Sequence, residues 1–122
     1  MGLVVRVSPE EFESLVSQAL DEIPEEFQRH LGNTLVTIDA EPSRTQLEEL
    51  GIRPRHTLLG LYSGTPLPHR DANFSGLPDT IHLFRGPILR ASGSRADVVR
   101  QVRDTVVHEI GHFFGLSDAD LP

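Results

Sequence analysis

Two histidines near the end of the chain have the spacing needed to hold one metal ion. His108 and His112 lie four residues apart, and on a helix that advances about 100° per residue their rings project from the same face. Glu109 follows the first histidine and points beside the metal. There it can take a proton from a metal-bound water, which is the general-base role in metal-assisted hydrolysis. The H-E-x-x-H pattern therefore predicts a metal-dependent hydrolytic site.

The residues that follow the pattern can complete the ligand set. Gly115 can end the helix, because glycine enters the left-handed conformation without steric cost. The chain then turns back, and Asp118 can supply a third ligand, which leaves the fourth tetrahedral position for water, as in a catalytic zinc site. Asp120 is the competing carboxylate, but a spacing of ten residues after His108 favours Asp118. We expect water or a small anion in the fourth position.

The extended pattern is specific. With this chain's own residue usage, H-E-x-x-H arises in about one in fifty shuffled sequences, and the added Gly115 and Asp118 lower this to about one in ten thousand. The alternative is a polar helix face that carries two surface histidines. The preceding residues predict a helix with opposite apolar and polar arcs. The apolar arc comprises Val98, Val99, Val102, Val106, Ile110 and Phe113, and the polar arc comprises Gln101, Asp104, Thr105, His108 and His112.

Composition limits the class of protein. A chain of 122 residues predicts one domain, residues 1–122, with a single modest core. Eleven basic residues against eighteen acidic ones give a net charge of −7, which repels phosphate backbones and argues against nucleic acid as a partner. Because the chain has no cysteine, disulfides and thiolate ligands are excluded, and a metal must be held by imidazole and carboxylate.

Targeting signals are not evident in the sequence. The first seven residues lack the charged start and the cleavage site of a signal peptide, and no apolar run approaches about 18 residues. We therefore expect a cytoplasmic protein without a membrane partner. The oligomeric state is left open, with a monomer as the default.

Local signals place the elements that must position the metal residues. Ser8, Pro9 and Glu11 predict a capped helix, and a second short helix restarts at Pro24 and continues through Leu31. Residues 35–39, 58–62 and 80–84 predict strands, with a short helix near residues 46–50. Residues 86–93 and the long proline-containing stretch 63–79 are predicted as connections, the latter a lid or a surface loop. A second capping box at residues 94–97 begins the motif helix, which is predicted to run from about residue 95 to 114.

Taken together, these residues resemble the small bacterial zincin-like metallopeptidase family, formerly a domain of unknown function. The likeness covers nearly the whole chain and includes residues 8–12, 24–27, 56–62, 77–79 and 105–112. The resemblance implies an α+β, minimal zincin-like fold: a small sheet of about three strands, N-terminal helices expected to cover one of its faces, and a long C-terminal motif helix. It also implies zinc held by His108, His112 and Asp118, with Glu109 as the catalytic base. The closing segment is similar to metzincin signatures as well, but the only methionine is Met1, so the methionine turn of that group is missing.

Other side chains have two interpretations each. Tyr62 can donate to an oxyanion or pack at the end of a strand. His82 can face the metal helix from the sheet or form an ordinary hydrogen bond within it. His30, His56 and His69 have no partner at ligand spacing and are interpreted as surface residues.

Three classes of function follow. The leading hypothesis is a zinc hydrolase of peptide or protein substrates, in which the strand 80–84 offers an edge to an extended peptide beside the metal helix. The alternative is a non-catalytic zinc-binding regulatory or interaction protein that retains the site. A small RNA hydrolase is a third hypothesis, and the acidic charge balance counts against it.

Overall fold

The computed structural model describes residues 5–32, 34–49, 51, 58–63 and 79–113, without the side chains of residues 30, 49, 112 and 113. Its elements are, in chain order, α1 (Pro9–Asp21), α2 (Glu25–Leu31), β1 (Thr34–Asp39), α3 (Arg44–Glu49), β2 (Gly60–Ser63), β3 (Asp79–Phe84), α4 (Arg85–Arg90) and α5 (Arg95–Phe113). This is a mixed α+β structure with a three-stranded sheet and a long C-terminal helix, so the predicted fold class is confirmed. In the described ranges, none of the helices has the length and apolar content needed to span a membrane.

Both predicted helix caps are present. The hydroxyl of Ser8 accepts a hydrogen bond from the Glu11 N–H at 3.1 Å, and Pro9 is the first residue of α1. The carboxylate of Glu11 also pairs with Arg95. The hydrogen bond to Arg95 lowers the pKa of the Glu11 carboxyl most, and a backbone hydrogen bond from Ser8 lowers it further, so a long-range partner is added to the local cap.

Strand order decides which strands have a free edge. The order is β1-β3-β2, with β3 parallel to β1 and antiparallel to β2. Because β3 is hydrogen-bonded on both sides, the prediction that residues 80–84 form a peptide-binding edge is wrong. Within the described residues, the two edge strands are β1 and β2.

The sheet presents its core face to the helices. On β3, Ile81 and Leu83 are both 0% exposed and belong to one apolar cluster with residues of α1, α2, α4 and α5. Side chains alternate along a strand, so His82, between them, lies on the opposite face. We expected the two N-terminal helices to cover the sheet. Instead α5 contacts β2 and β3, α2 contacts β1, and α1 packs mainly on α5.

Ion pairs at both ends of α1 align it with α5. Glu11 near the start of α1 pairs with Arg95 at the start of α5, and Glu22 after the end of α1 lies 3.5 Å from Arg103. The two helices are therefore parallel. Between these pairs the buried side chains of α1 contact α5 across the core; they are Phe12, Leu15, Val16 and Ala19.

Helix α4 is the element that the sequence prediction missed. Its sequence contains Gly86 and Pro87, which favour a connection, yet Pro87 lies in the first turn, where backbone N–H groups have no intrahelical acceptor. The Gly86 N–H donates instead to the Ala40 carbonyl at 2.8 Å, and a side chain at position 86 would collide with Glu41. Burial of Pro87 and Ile88 and a two-pronged bond from Arg90 to Glu41, both contacts at 2.9 Å, stabilise this short helix.

Candidate metal centre

Helix α5 carries the predicted metal residues on one rigid element. The Ser94 hydroxyl accepts from the Asp97 N–H at 3.1 Å, and the Asp97 carboxylate accepts from the Gly93 N–H at 2.9 Å. These bonds fix the start of the helix, which then continues unbroken to Phe113. His108 lies about 20 Å along the axis from Arg95 at 1.5 Å per residue. The helix is therefore positioned at its first turn, far from the candidate site, and along a buried stripe that continues past His108 to Ile110.

Burial along α5 confirms most of the predicted separation of its two faces, but Thr105, which was predicted on the polar arc, is half-buried. The stripe of buried side chains comprises Val98, Val99, Val102, Val106, Val107 and Ile110. Of these, Val107 was not in the predicted arc. His108 and Asp104 are exposed, and Glu109 is half-buried. His108 is thus held on the helix surface directed away from the core, where a metal ion and a substrate can reach it.

The remaining predicted ligands lie partly outside the described residues. His112 belongs to α5, and its backbone position, four residues after His108, is on the same helix face. Its side chain is outside the description, as are Gly115, Asp118 and Asp120. In the parts of the chain that are described, no group of three His, Cys, Asp or Glu side chains could hold a metal ion. The three-ligand set therefore stays a prediction.

The donor set fits zinc chemically. Zinc accepts imidazole nitrogen and carboxylate oxygen, and a catalytic site uses three such protein ligands. The structure contributes an unbroken helix through both histidines and an exposed His108. A buried or helix-breaking position at either residue would have excluded the i, i+4 pair. Both positions lie in the unbroken helix, and His108 is exposed.

Helix α5 approaches the edge strand β2 closely. A Cβ atom built on Gly60 would lie only 2.6 Å from the Thr105 methyl carbon, and 3.1 Å from the His82 carbonyl oxygen. Neither Gly60 nor Thr105 was identified from the sequence as part of the site. A signal was present, since a glycine inside a strand often marks close approach of another element. It does not reveal which element approaches.

Tyr62 lies on the same face of β2 as Gly60, two residues further along the strand. Its half-buried ring packs against the apolar cluster. This placement agrees with the packing interpretation. The oxyanion role stays a prediction.

His82 belongs to a different environment from the metal helix. Its Nδ1 atom is 3.0 Å from the Thr37 hydroxyl and 3.7 Å from an Asp39 carboxylate oxygen, on the sheet face opposite the core. The alternative interpretation, in which His82 faces the metal helix, is wrong, because its neighbours Ile81 and Leu83 take the inward positions. The interpretation as a hydrogen-bonded sheet histidine is confirmed. The side chain of His30 and all of His56 and His69 lie outside the described residues.

Comparison with known proteins gives a family and a similar solved structure. A family model described as a zincin-like metallopeptidase matches residues 31–122. Among solved structures, the chain is similar to a "conserved hypothetical protein" from Thermo thermophilus, with 27% identity and a TM-score of 0.57 over 88% of this chain and 94% of that one. No curated protein matches. The matched range contains the whole sheet and all of α5.

Proposed function

Because this chain belongs to the zincin-like metallopeptidase family, we propose that it is a zinc-dependent peptidase that hydrolyses peptide bonds. His108, His112 and Asp118 would hold the zinc, and Glu109 would act as the general base. The observation that carries this proposal is the unbroken helix α5, which holds an exposed His108 off the buried stripe and places His112 one turn further on the same face.

The proposed chemistry divides between the ion and the chain. Zinc, when bound, would supply Lewis-acid activation of the attacking water and of the substrate carbonyl. Glu109 follows His108 directly, so about 100° of helical rotation takes its carboxylate away from the histidine pair. In that position it takes the proton of the attacking water and returns it to the leaving amine.

Strand β2 is the proposed docking edge for the peptide. In the described part of the chain, β2 pairs only with β3, and α5 packs against β2. An extended peptide could add to the other side of β2 through main-chain hydrogen bonds. Strand β2 therefore takes the docking role that the sequence analysis gave to strand 80–84. A peptide on this edge would lie next to α5, the helix that bears His108.

The direct test joins metal analysis to a peptide digest. Protein purified without added zinc is analysed for metals and then incubated with a peptide library whose products are identified by mass spectrometry. We expect one zinc per chain and cleaved peptides. Glu109→Gln is the matched control, because it keeps the shape of the side chain while removing the base. It should retain zinc and lose about 10²- to 10⁴-fold in kcat.

Other outcomes have distinct meanings. Zinc at one per chain without any cleavage would favour the non-catalytic zinc-binding alternative. A wild-type protein that takes up no zinc, even when it is supplied, would contradict both. If Glu109→Gln releases the metal, Glu109 is a ligand and its proposed role as a base is wrong.

A further inference from the structure

Where α5 contacts β2, the methyl group of Thr105 occupies the place that a side chain on Gly60 would take. A Cβ on Gly60 would lie 2.6 Å from Thr105 Cγ2, well inside van der Waals contact, and 3.5 Å from a Leu83 methyl carbon, an ordinary separation. The Thr105 methyl therefore packs directly onto the backbone of the first residue of β2. Any larger residue at position 60 would push the helix and the strand apart.

Thr105 lies three residues, or about one helical turn, before His108. The proposed ligands His108 and His112 are on α5, and Asp118 follows soon after its end. The ligand set is therefore carried by one segment of chain. A shift of α5 against β2 would leave these ligands in place relative to one another, but it would change their distance from the edge strand.

Resting on the proposed peptidase function, we infer that the contact between Gly60 and Thr105 sets the distance between the zinc-binding helix and the peptide-binding edge. The two residues are positioning residues. They act on the alignment of a docked peptide with Glu109 and the metal, and they do not touch the metal. A displacement of about 1 Å between reacting groups can cost on the order of a hundredfold in rate, so this contact controls turnover.

The test begins with Gly60→Ala. We expect kcat for a cleaved library peptide to fall roughly 10- to 100-fold, with KM little changed because the main-chain edge of β2 remains. The zinc dissociation constant, measured by competition with a chromogenic chelator, should stay within about twofold, since Gly60 is not one of the proposed ligands and lies on a different element from them. Gly32→Ala is the matched control, because among the described residues a Cβ there meets only the Arg29 carbonyl, at 3.8 Å. It should leave kcat and zinc affinity as in the wild type.

Substitutions of Thr105 in the Gly60→Ala protein distinguish a positioning role of the contact from a general loss of structure. Thr105→Ser removes the colliding methyl, so the Gly60→Ala/Thr105→Ser protein should recover most of the lost kcat. Thr105→Val keeps a methyl at that place, and the Gly60→Ala/Thr105→Val protein should recover none. Equal recovery by serine and valine, or recovery by neither, would overturn the inference. So would a loss of zinc affinity in Gly60→Ala that matches its loss of kcat.

The contact between Gly60 and Thr105 can also be tested by NMR spectroscopy, which does not depend on peptide cleavage. In the zinc-loaded wild-type protein, nuclear Overhauser effects should connect the Thr105 methyl to the Gly60 Hα protons, and Gly60→Ala should shift backbone amide signals along α5. Absence of the Overhauser effects would overturn the inference by itself. If they are present but the wild type cleaves nothing, the proposed function fails while the contact stands.

A milder variant covers the case in which Gly60→Ala does not fold. Thr105→Ala keeps Gly60, removes the methyl from the helix side and lets α5 approach β2. It should lower kcat with zinc affinity unchanged. Wild-type kcat in Thr105→Ala would contradict the positioning role.

Discussion

The two sides of the sheet hold histidine in different surroundings. On the helical side, His108 is exposed on the outer surface of α5, one turn before a second histidine. On the far side, His82 is half-buried in the central strand, with the Thr37 hydroxyl at 3.0 Å and the Asp39 carboxylate beside it. The first arrangement suits metal binding, and the second satisfies a polar group within a sheet.

The element and its partners, not the residue type, assign the role of each histidine. A histidine in a strand alternates with its neighbours, so the burial of Ile81 and Leu83 fixes the face that His82 takes. A histidine on a helix shares its face with the residue four positions on, so His108 is placed with His112. The following predictions test this contrast, from the largest expected effect to the smallest.

Removal of one predicted ligand should abolish the site. His112→Ala should raise the zinc dissociation constant by more than the roughly 10- to 100-fold that changes around a metal's ligands cost, and peptide cleavage should be lost with the metal. Elemental analysis and chelator competition measure this. His82→Ala is the control, a histidine on the other side of the sheet, and should bind zinc as the wild type does. Undiminished zinc in His112→Ala, or lost zinc in a folded His82→Ala protein, would break the contrast.

Removal of zinc should lower the thermal stability of the protein. A ligand that binds only the folded state at about 100 times its Kd contributes about 2.7 kcal/mol, which in a domain of this size raises Tm by about 10 °C. Differential scanning calorimetry before and after treatment with a strong chelator measures the difference. His112→Ala should show no such response. A wild-type Tm that does not move once metal analysis verifies removal would count against folding-coupled zinc binding.

Loss of the hydrogen bond between Thr37 and His82, on the sheet face opposite the core, should lower stability without changing zinc affinity. Thr37→Val keeps the β-branched shape but removes the hydroxyl that bonds to His82. We expect the free energy of unfolding to fall by about 1 kcal/mol, measured by urea denaturation, with zinc affinity unchanged. Thr34 and Thr80 offer other threonines in the same two strands, and Thr80→Val serves as a comparison. A change in zinc affinity in Thr37→Val would show that the two sides are coupled.

The smallest effect concerns the ion pair that joins the end of β1 to α4. The Arg90 guanidinium, through its hydrogen bonds and charge, holds the pKa of the Glu41 carboxyl below its ordinary value of 4.5. The stabilisation is therefore fully present above pH 4.5 and is lost as pH falls through the lowered pKa. Because the pair is exposed and screened, Glu41→Gln should cost only about 0.5 kcal/mol at pH 7.

Denaturation of Glu41→Gln and wild type at neutral and acid pH measures this effect. The two proteins should differ at pH 7 and become equal well below pH 4.5. The pKa of Glu11 is also lowered, by its hydrogen bond to Arg95, so both proteins should lose stability in acid. A difference between them that persists or grows in acid would contradict the assigned sign.

Much of the fold could be predicted because its signals are local. The Ser8 and Ser94 caps, the apolar period of α5 and the three apolar strand segments each depend on residues within a few positions of one another. The structure begins α5 at Arg95, as the capping pattern predicts. Helix α4 was missed because its glycine and proline weaken the local signal, while its stability comes from Arg90, which bonds to Glu41 forty-nine residues away.

The candidate site shows the same division. The sequence by itself determined the residue types and their helical spacing, since His108, Glu109 and His112 are related by the geometry of a single helix. Only the tertiary structure decided that β3 is central and β2 is an edge, that His82 lies on the far face, and that Thr105 packs on Gly60. These facts depend on pairing between segments that are distant in the chain. No local pattern specifies which strand becomes a neighbour or which helix lies against it, because strand order and helix docking are set by burial of the whole apolar surface at once.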